Sequence, residues 1–102
     1  MYALLNQKRI EVADLCRRTG ARRLDVFGSA ARADFDPQHS DLDFLVEFGS
    51  TTPAAYAQDF FTLKEGLEAL FNRPVDLLTE SSLANPYLQR RIASERKTVY
   101  AS

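Results

Sequence analysis

The stretch GSAARADFDPQHSDLD, residues 28–43, running on into FLVEF, residues 44–48, decides how this chain is read. It begins where a short apolar run, Arg23 to Phe27, gives way to Gly28 and Ser29, the punctuation of a strand ending in a turn. Ala33 to Ser40 is rich in turn formers, with Asp36-Pro37 among them. From Asp41 to Phe48 the pattern changes. Leu42, Phe44, Val46 and Phe48 alternate with Asp41, Asp43, Leu45 and Glu47, the period of a pleated strand with one buried face.

Two chemical devices sit in this stretch. Gly28 lets the backbone approach a ligand closely, and the helical turn opened by Ser29 has N–H groups that point outward with partial positive charge. Gly28 and Ser29 are therefore candidates for a phosphate cradle. Asp41 and Asp43 stand two apart on a strand, so both carboxylates leave the same face. Like charges so placed repel unless a cation lies between them. Mg²⁺ suits such a place, because it takes hard oxygen ligands together with substrate phosphates. Either device alone is commonly a plain turn or a solvated strand face, and their joint occurrence is what points to phosphate and metal chemistry.

Outward from this stretch, Gln7 to Thr19 carries Val12, Leu15, Cys16 and Thr19 at helical spacing, and Gly20 marks its end. Thr52-Pro53 is a cap followed by proline and opens a second helix, with Tyr56, Phe60, Leu63, Leu67 and Leu70 as its apolar stripe. Val75 to Thr79 reads as a strand, Asn85-Pro86 starts a last helix reaching about Lys97, and Thr98 to Ala101 is a short strand or tail. The expected class is α/β (α+β), a small mixed sheet of three to four strands with helices packed on one face, forming one domain over residues 1–102.

Composition bounds the function. The 102 residues balance 13 Lys and Arg against 14 Asp and Glu, so the basic footprint of a protein gripping a long nucleic acid is missing. With one cysteine, Cys16, neither an intramolecular disulfide nor a cysteine metal cluster can form, and with one histidine, His39, a zinc site is implausible. No apolar run approaches the ~20 residues that cross a bilayer, and the first residues lack a signal-peptide apolar region. A cytoplasmic protein without membrane attachment is expected.

Taken together, Gly28, Ser29, Arg32, Ser40, Asp41 and Asp43 resemble the signature of the polymerase-β-like nucleotidyltransferases in their minimal, MNT-type form. The flanking LDVF and FLVEF match as well, and NPYLQRRI resembles the closing helix of the same small proteins. The resemblance spans nearly the whole chain and departs at Ala33, where the family usually has glycine. It implies the polymerase-β-like nucleotidyltransferase fold, with Gly28, Ser29, Arg32 and Ser40 on the nucleoside triphosphate and Asp41 and Asp43 on Mg²⁺. It also implies a third carboxylate, Asp76, as metal ligand or general base. Asp76 interrupts a run of Val and Leu, an odd place for an acid unless it faces a cation or forms an ion pair. Arg32 has salt bridges to Asp34 or Asp36 as its alternative, Arg90 and Arg91 read as a solvated helix face, and Asp25 has no role in the family.

Larger relatives add a helical domain that holds the acceptor, and a chain of this length is expected to meet its acceptor on a separate molecule. The resemblance then implies an MNT antitoxin of a HEPN/MNT pair, moving AMP from ATP to a tyrosine of a HEPN-type toxin. Neutralisation by binding alone, and transfer to a small molecule in a pocket closed by a homo-oligomer, are the alternatives the sequence leaves open.

Overall fold

A computed structural model describes the whole chain except residues 33, 50 and 51, so the departure at Ala33 lies outside the described residues. The elements are α1 (Ala3–Gln7), α2 (Arg9–Thr19), β1 (Ala21–Phe27), β2 (Leu42–Phe48), α3 (Pro53–Phe71), β3 (Val75–Thr79), α4 (Pro86–Glu95) and β4 (Lys97–Ala101). Single 3₁₀ turns, Gly28–Ala30 and Glu80–Ser82, follow β1 and β3.

The strands form one sheet in the order β3-β2-β1-β4. β1 runs antiparallel to both β2 and β4, and β2 runs parallel to β3. A parallel pair needs a long crossover, and α3 supplies it. The mixed α+β class expected from the sequence is the class observed.

Local chemistry sets the helix ends. Thr52 accepts from the Ala55 N–H at 3.2 Å with Pro53 at the first helical position, and Asn85 accepts from the Tyr87 N–H at 2.9 Å with Pro86 in the same place. α2 stops at Gly20, whose φ of 74° lets its N–H turn back to the carbonyls of Arg17 and Cys16. The expected first helix, Gln7 to Thr19, is found as α2, and a further short helix, α1, precedes it. The chain departs from helical angles at Lys8, and the N-terminal residues reach across to the turn after β1, where the Tyr2 N–H donates to the Ala30 carbonyl at 2.7 Å.

Period-two alternation divides β2 between two cores. Leu42, Phe44 and Val46 enter the larger one with Leu5, Val12, Leu15 and Cys16 of α1 and α2 and Leu63, Leu67 and Phe71 of α3. Leu63 and Leu67 are fully buried, and truncating either to alanine costs about 2–5 kcal/mol. Leu45 points the other way and packs with Phe27 and Ile92, flanked by Leu78, Leu83 and Leu88. Helices α2 and α3 thus cover one face as expected, whereas α4 lies across the other, because Leu45 and Leu78 give that face apolar surface to bury. Among the described residues no helix is long and apolar enough to cross a membrane.

Candidate nucleotide and metal site

The face of β2 that carries Leu45 also carries Asp43. Asp43 is in register with Phe27 on β1 and with Asp76 on β3, so the two carboxylates are lateral neighbours on adjacent parallel strands. Asp41 lies just before β2 and is exposed, Asp43 is half-buried, and Asp76 is exposed on the edge strand. Among the described residues none of the three forms a salt bridge.

That charge is felt locally. Burial, then the charges of Asp76 and Asp41, push the Asp43 carboxyl up to about 6, against a smaller opposing pull from Arg32 and Arg91. A cation beside Asp43 would relieve both neighbouring repulsions. Among the described residues no three acidic, histidine or cysteine side chains are gathered closely enough to enclose an ion by themselves. Mg²⁺ needs no such cluster, since one or two carboxylates with phosphate oxygens and waters hold it, and Asp43 and Asp76 are two carboxylates in register.

Gly28 abuts Asp43. Its φ is 68°, and a Cβ there would lie 2.5 Å from Asp43 Oδ2. Both the backbone angle and the missing side chain are thus required for β1 to turn away beside the carboxylate. The Gly28 N–H points at Glu95 and donates to Oε2 at 3.2 Å. Arg32 donates to Glu95 Oε1 at 2.6 Å and pairs with Asp34 at 3.1 Å. Arg91 Nε reaches the same Oε1 at 3.4 Å.

Gly28, Asp43 and Asp76 meet Arg91 and Glu95 in one cleft of about 300 Å³, closed by Phe27, Leu78, Leu88 and Ile92. Ser29, Arg32, Ser40 and Asp41 lie outside its lining. Ser29 is half-buried in the turn beside it. Arg32 and Asp41 act on Asp43 through their charges. Ser40 works within its own loop, where its hydroxyl accepts from the Asp36 N–H at 3.1 Å. A larger cleft of about 490 Å³ between α2 and α3, lined by Ile10, Leu15 and Leu70 among others, contains none of these residues. The larger cleft is also lined by Glu11, Asp14, Arg17 and Arg18; what marks the smaller one is the register of Asp43 with Asp76 beside the Gly28 turn.

Three residues here escape the sequence reading. Arg91 and Glu95 form an i,i+4 pair on α4, which resembles any solvated helix face until α4 is laid on the sheet. Arg73 is the third. Its guanidinium lies over the rings of Tyr2 and Phe35, 5.5 and 4.9 Å from their centroids, and donates to the carbonyls of Pro37 and Ser40 at 3.0 and 3.4 Å. It thereby fastens the loop that delivers Asp41.

The profile of the nucleotidyltransferase domain matches residues 11–99. The chain belongs to the nucleotidyltransferase domain family. This nucleotidyltransferase is 41% identical over 70 residues to the protein adenylyltransferase MntA of Thermococcus cleftensis, covering 69% of this chain and 67% of that one. A solved structure assigned as a minimal nucleotidyltransferase is 38% identical and superposes with a TM-score of 0.72 over 95% of each chain. The fold also matches a chain of the complex between a tri-AMPylated Shewanella oneidensis HEPN toxin and its MNT antitoxin. There the TM-score is 0.65 at 18% identity, over 96% of this chain and 73% of that one. The nucleotidyltransferase fold that the sequence motif implied is thus the fold observed.

Proposed function

We propose that this nucleotidyltransferase transfers AMP from ATP to a tyrosine hydroxyl of a HEPN-type toxin and acts as its antitoxin. The observation that carries the reading is the register of Asp43 against Asp76 beside the Gly28 amide, with no salt bridge to either carboxylate among the described residues. Identity to a protein adenylyltransferase supports the choice of a protein acceptor. The shared fold with an MNT antitoxin bound to an AMPylated toxin supports the choice of toxin.

Each residue then has a task. Asp41 and Asp43 would hold Mg²⁺, with Asp76 as a further ligand or as the base that takes the proton from the attacking hydroxyl. Gly28 offers its N–H, Ser29 its hydroxyl and Arg32 its guanidinium to phosphate oxygens; Ser40 shapes the loop before Asp41. When bound, Mg²⁺ supplies charge neutralisation for the phosphates. The acceptor oxygen forms its bond to the α-phosphorus as the bond to pyrophosphate breaks, and positioning with charge neutralisation is most of what such a displacement requires.

The test uses ATP labelled at either the α- or the γ-phosphorus, incubated with Mg²⁺, the enzyme and its HEPN-type partner. Only α-label should reach the partner, and Asp41→Ala with Asp43→Ala should abolish the transfer. Incorporation of γ-label would mean phosphate transfer and contradict the assignment.

A further inference from the structure

Two of the donors that the phosphate reading names, the Gly28 N–H and Arg32 Nη1, meet on one carboxylate, and Arg91 joins them there. Glu95 Oε2 takes the Gly28 N–H at 3.2 Å, and Oε1 takes Arg32 at 2.6 Å and Arg91 at 3.4 Å. A main-chain N–H and two guanidinium groups converging on paired oxygens are the set of donors a phosphate group uses. The side chain of Glu95 is 17% exposed, and it lines the same cleft as Asp43 and Asp76. A third carboxylate in that cleft is costly beside the first two, unless its three donors hold it there.

We infer that Glu95 is an internal anion occupying the phosphate subsite, and that an incoming triphosphate takes over its donors. The inference rests on reading the cleft as a nucleotide site. In it, Gly28, Arg32 and Arg91 are the phosphate-binding set, and Glu95 is the residue that sets how tightly the triphosphate binds. While Glu95 is in place, Arg32 and Arg91 are kept paired and aimed at the cleft. When it leaves, Arg91 and the Nη1 of Arg32 turn to the phosphates, while Asp34 still holds Arg32 through Nε and Nη2.

The backbone around Glu95 is anchored, so the exchange is a side-chain movement. The next residue, Arg96, donates to the buried Asp25 at 2.5 Å and to Glu80 at 2.9 Å, and its N–H caps α4 on the Ile92 carbonyl at 2.8 Å. The end of α4 stays against the sheet while the glutamate rotates outward. Its two carbons of side chain beyond Cβ allow that swing without moving the helix.

The experiment measures binding of a non-hydrolysable ATP analogue with Mg²⁺ to the full chain by titration calorimetry, for the wild type, Glu95→Gln and Glu80→Gln. Glu80→Gln removes the same charge from the Arg96 network outside the cleft. Glu95→Gln should bind about tenfold tighter than wild type, the scale of one charge-assisted hydrogen bond released, whereas Glu80→Gln should change affinity less than about twofold. A second readout leaves the protein unaltered: the amide resonance of Gly28 should move when inorganic triphosphate is added to the wild type. If the wild type binds the analogue and Glu95→Gln binds it equally or more weakly, the inference is overturned while the nucleotide reading stands. A Gly28 amide that stays still while other amides respond to triphosphate overturns it in the same way. Failure of both the wild type and Glu95→Gln to bind the analogue overturns the nucleotide reading as well.

Discussion

Asp43 Oδ2 sits where a side chain on Gly28 would begin, 2.5 Å from the position of a Cβ built there. The turn at Gly28 and the carboxylate cluster are thus one packed unit, and disturbing one disturbs the other. Gly28→Ala should cost about 2 kcal/mol from the positive φ alone, with the contact adding to it. Transfer should fall about 100-fold, because the clash displaces Asp43 from its working position. Combining it with Asp43→Ala should restore part of the lost stability but none of the activity. Thermal denaturation of the two single variants and the double variant checks this, and strict additivity of the stability losses would contradict it.

The electrostatics of Asp43 give stability a pH dependence of definite sign. Its folded carboxyl titrates at about 6, above the unfolded value near 3.8. Between these values the folded state holds more proton than the unfolded state, so in EDTA this group makes stability fall as pH rises through that window. Asp43→Asn should therefore raise the melting temperature in EDTA at pH 8 by a few degrees and change it little at pH 4. Added Mg²⁺ should stabilise the wild type at pH 8 and do far less for the variant. A melting temperature lowered equally at both pH values would contradict a carboxylate destabilised by burial and by its charged neighbours.

Asp25 has no part in the cleft and a large part in the fold. It is fully buried, with Arg23 Nε at 3.0 Å and Arg96 Nε at 2.5 Å. Together the three residues tie the centre of β1 to the junction of α4 and β4. Asp25→Ala removes the buried acceptor of two charge-assisted hydrogen bonds, so it should cost about 3 kcal/mol by urea denaturation. A loss under about 1 kcal/mol would show that the network contributes little.

Cys16 lies wholly inside the core, and burial pushes its thiol up to about 12. In the native protein at pH 8 it should resist a chromogenic disulfide reagent for hours and react at once in denaturant. Rapid reaction in the native state would mean that α2 opens readily from the sheet.

How much of this the sequence disclosed depends on the range of each interaction. Helix starts at Thr52-Pro53 and Asn85-Pro86 were legible because a cap is made within three residues. The strand from Leu42 to Phe48 was legible because alternation is local as well. Asp41 and Asp43 stood out through their spacing. Asp76 drew notice as an acid in an apolar run, although its register against Asp43 is a fact of tertiary pairing. Glu95 was not legible, since its contact with Gly28 joins residues 67 positions apart. Nor was the bond from Arg96 to Asp25, at a separation of 71. The side of the sheet taken by α4 follows from Leu45 and Leu78, and their burial becomes visible once β2 and β3 lie next to each other.

The central claim is that this chain attaches AMP to a toxin, and the intact mass of that toxin tests it most directly. A candidate HEPN-type partner should be incubated with ATP, Mg²⁺ and either the wild type or the variant carrying Asp41→Ala and Asp43→Ala. The account predicts a gain of one or more adenylate masses on the toxin with the wild type, and none with the variant. An unchanged toxin mass, with the two proteins still bound tightly to each other, would contradict it and leave neutralisation by binding as the function.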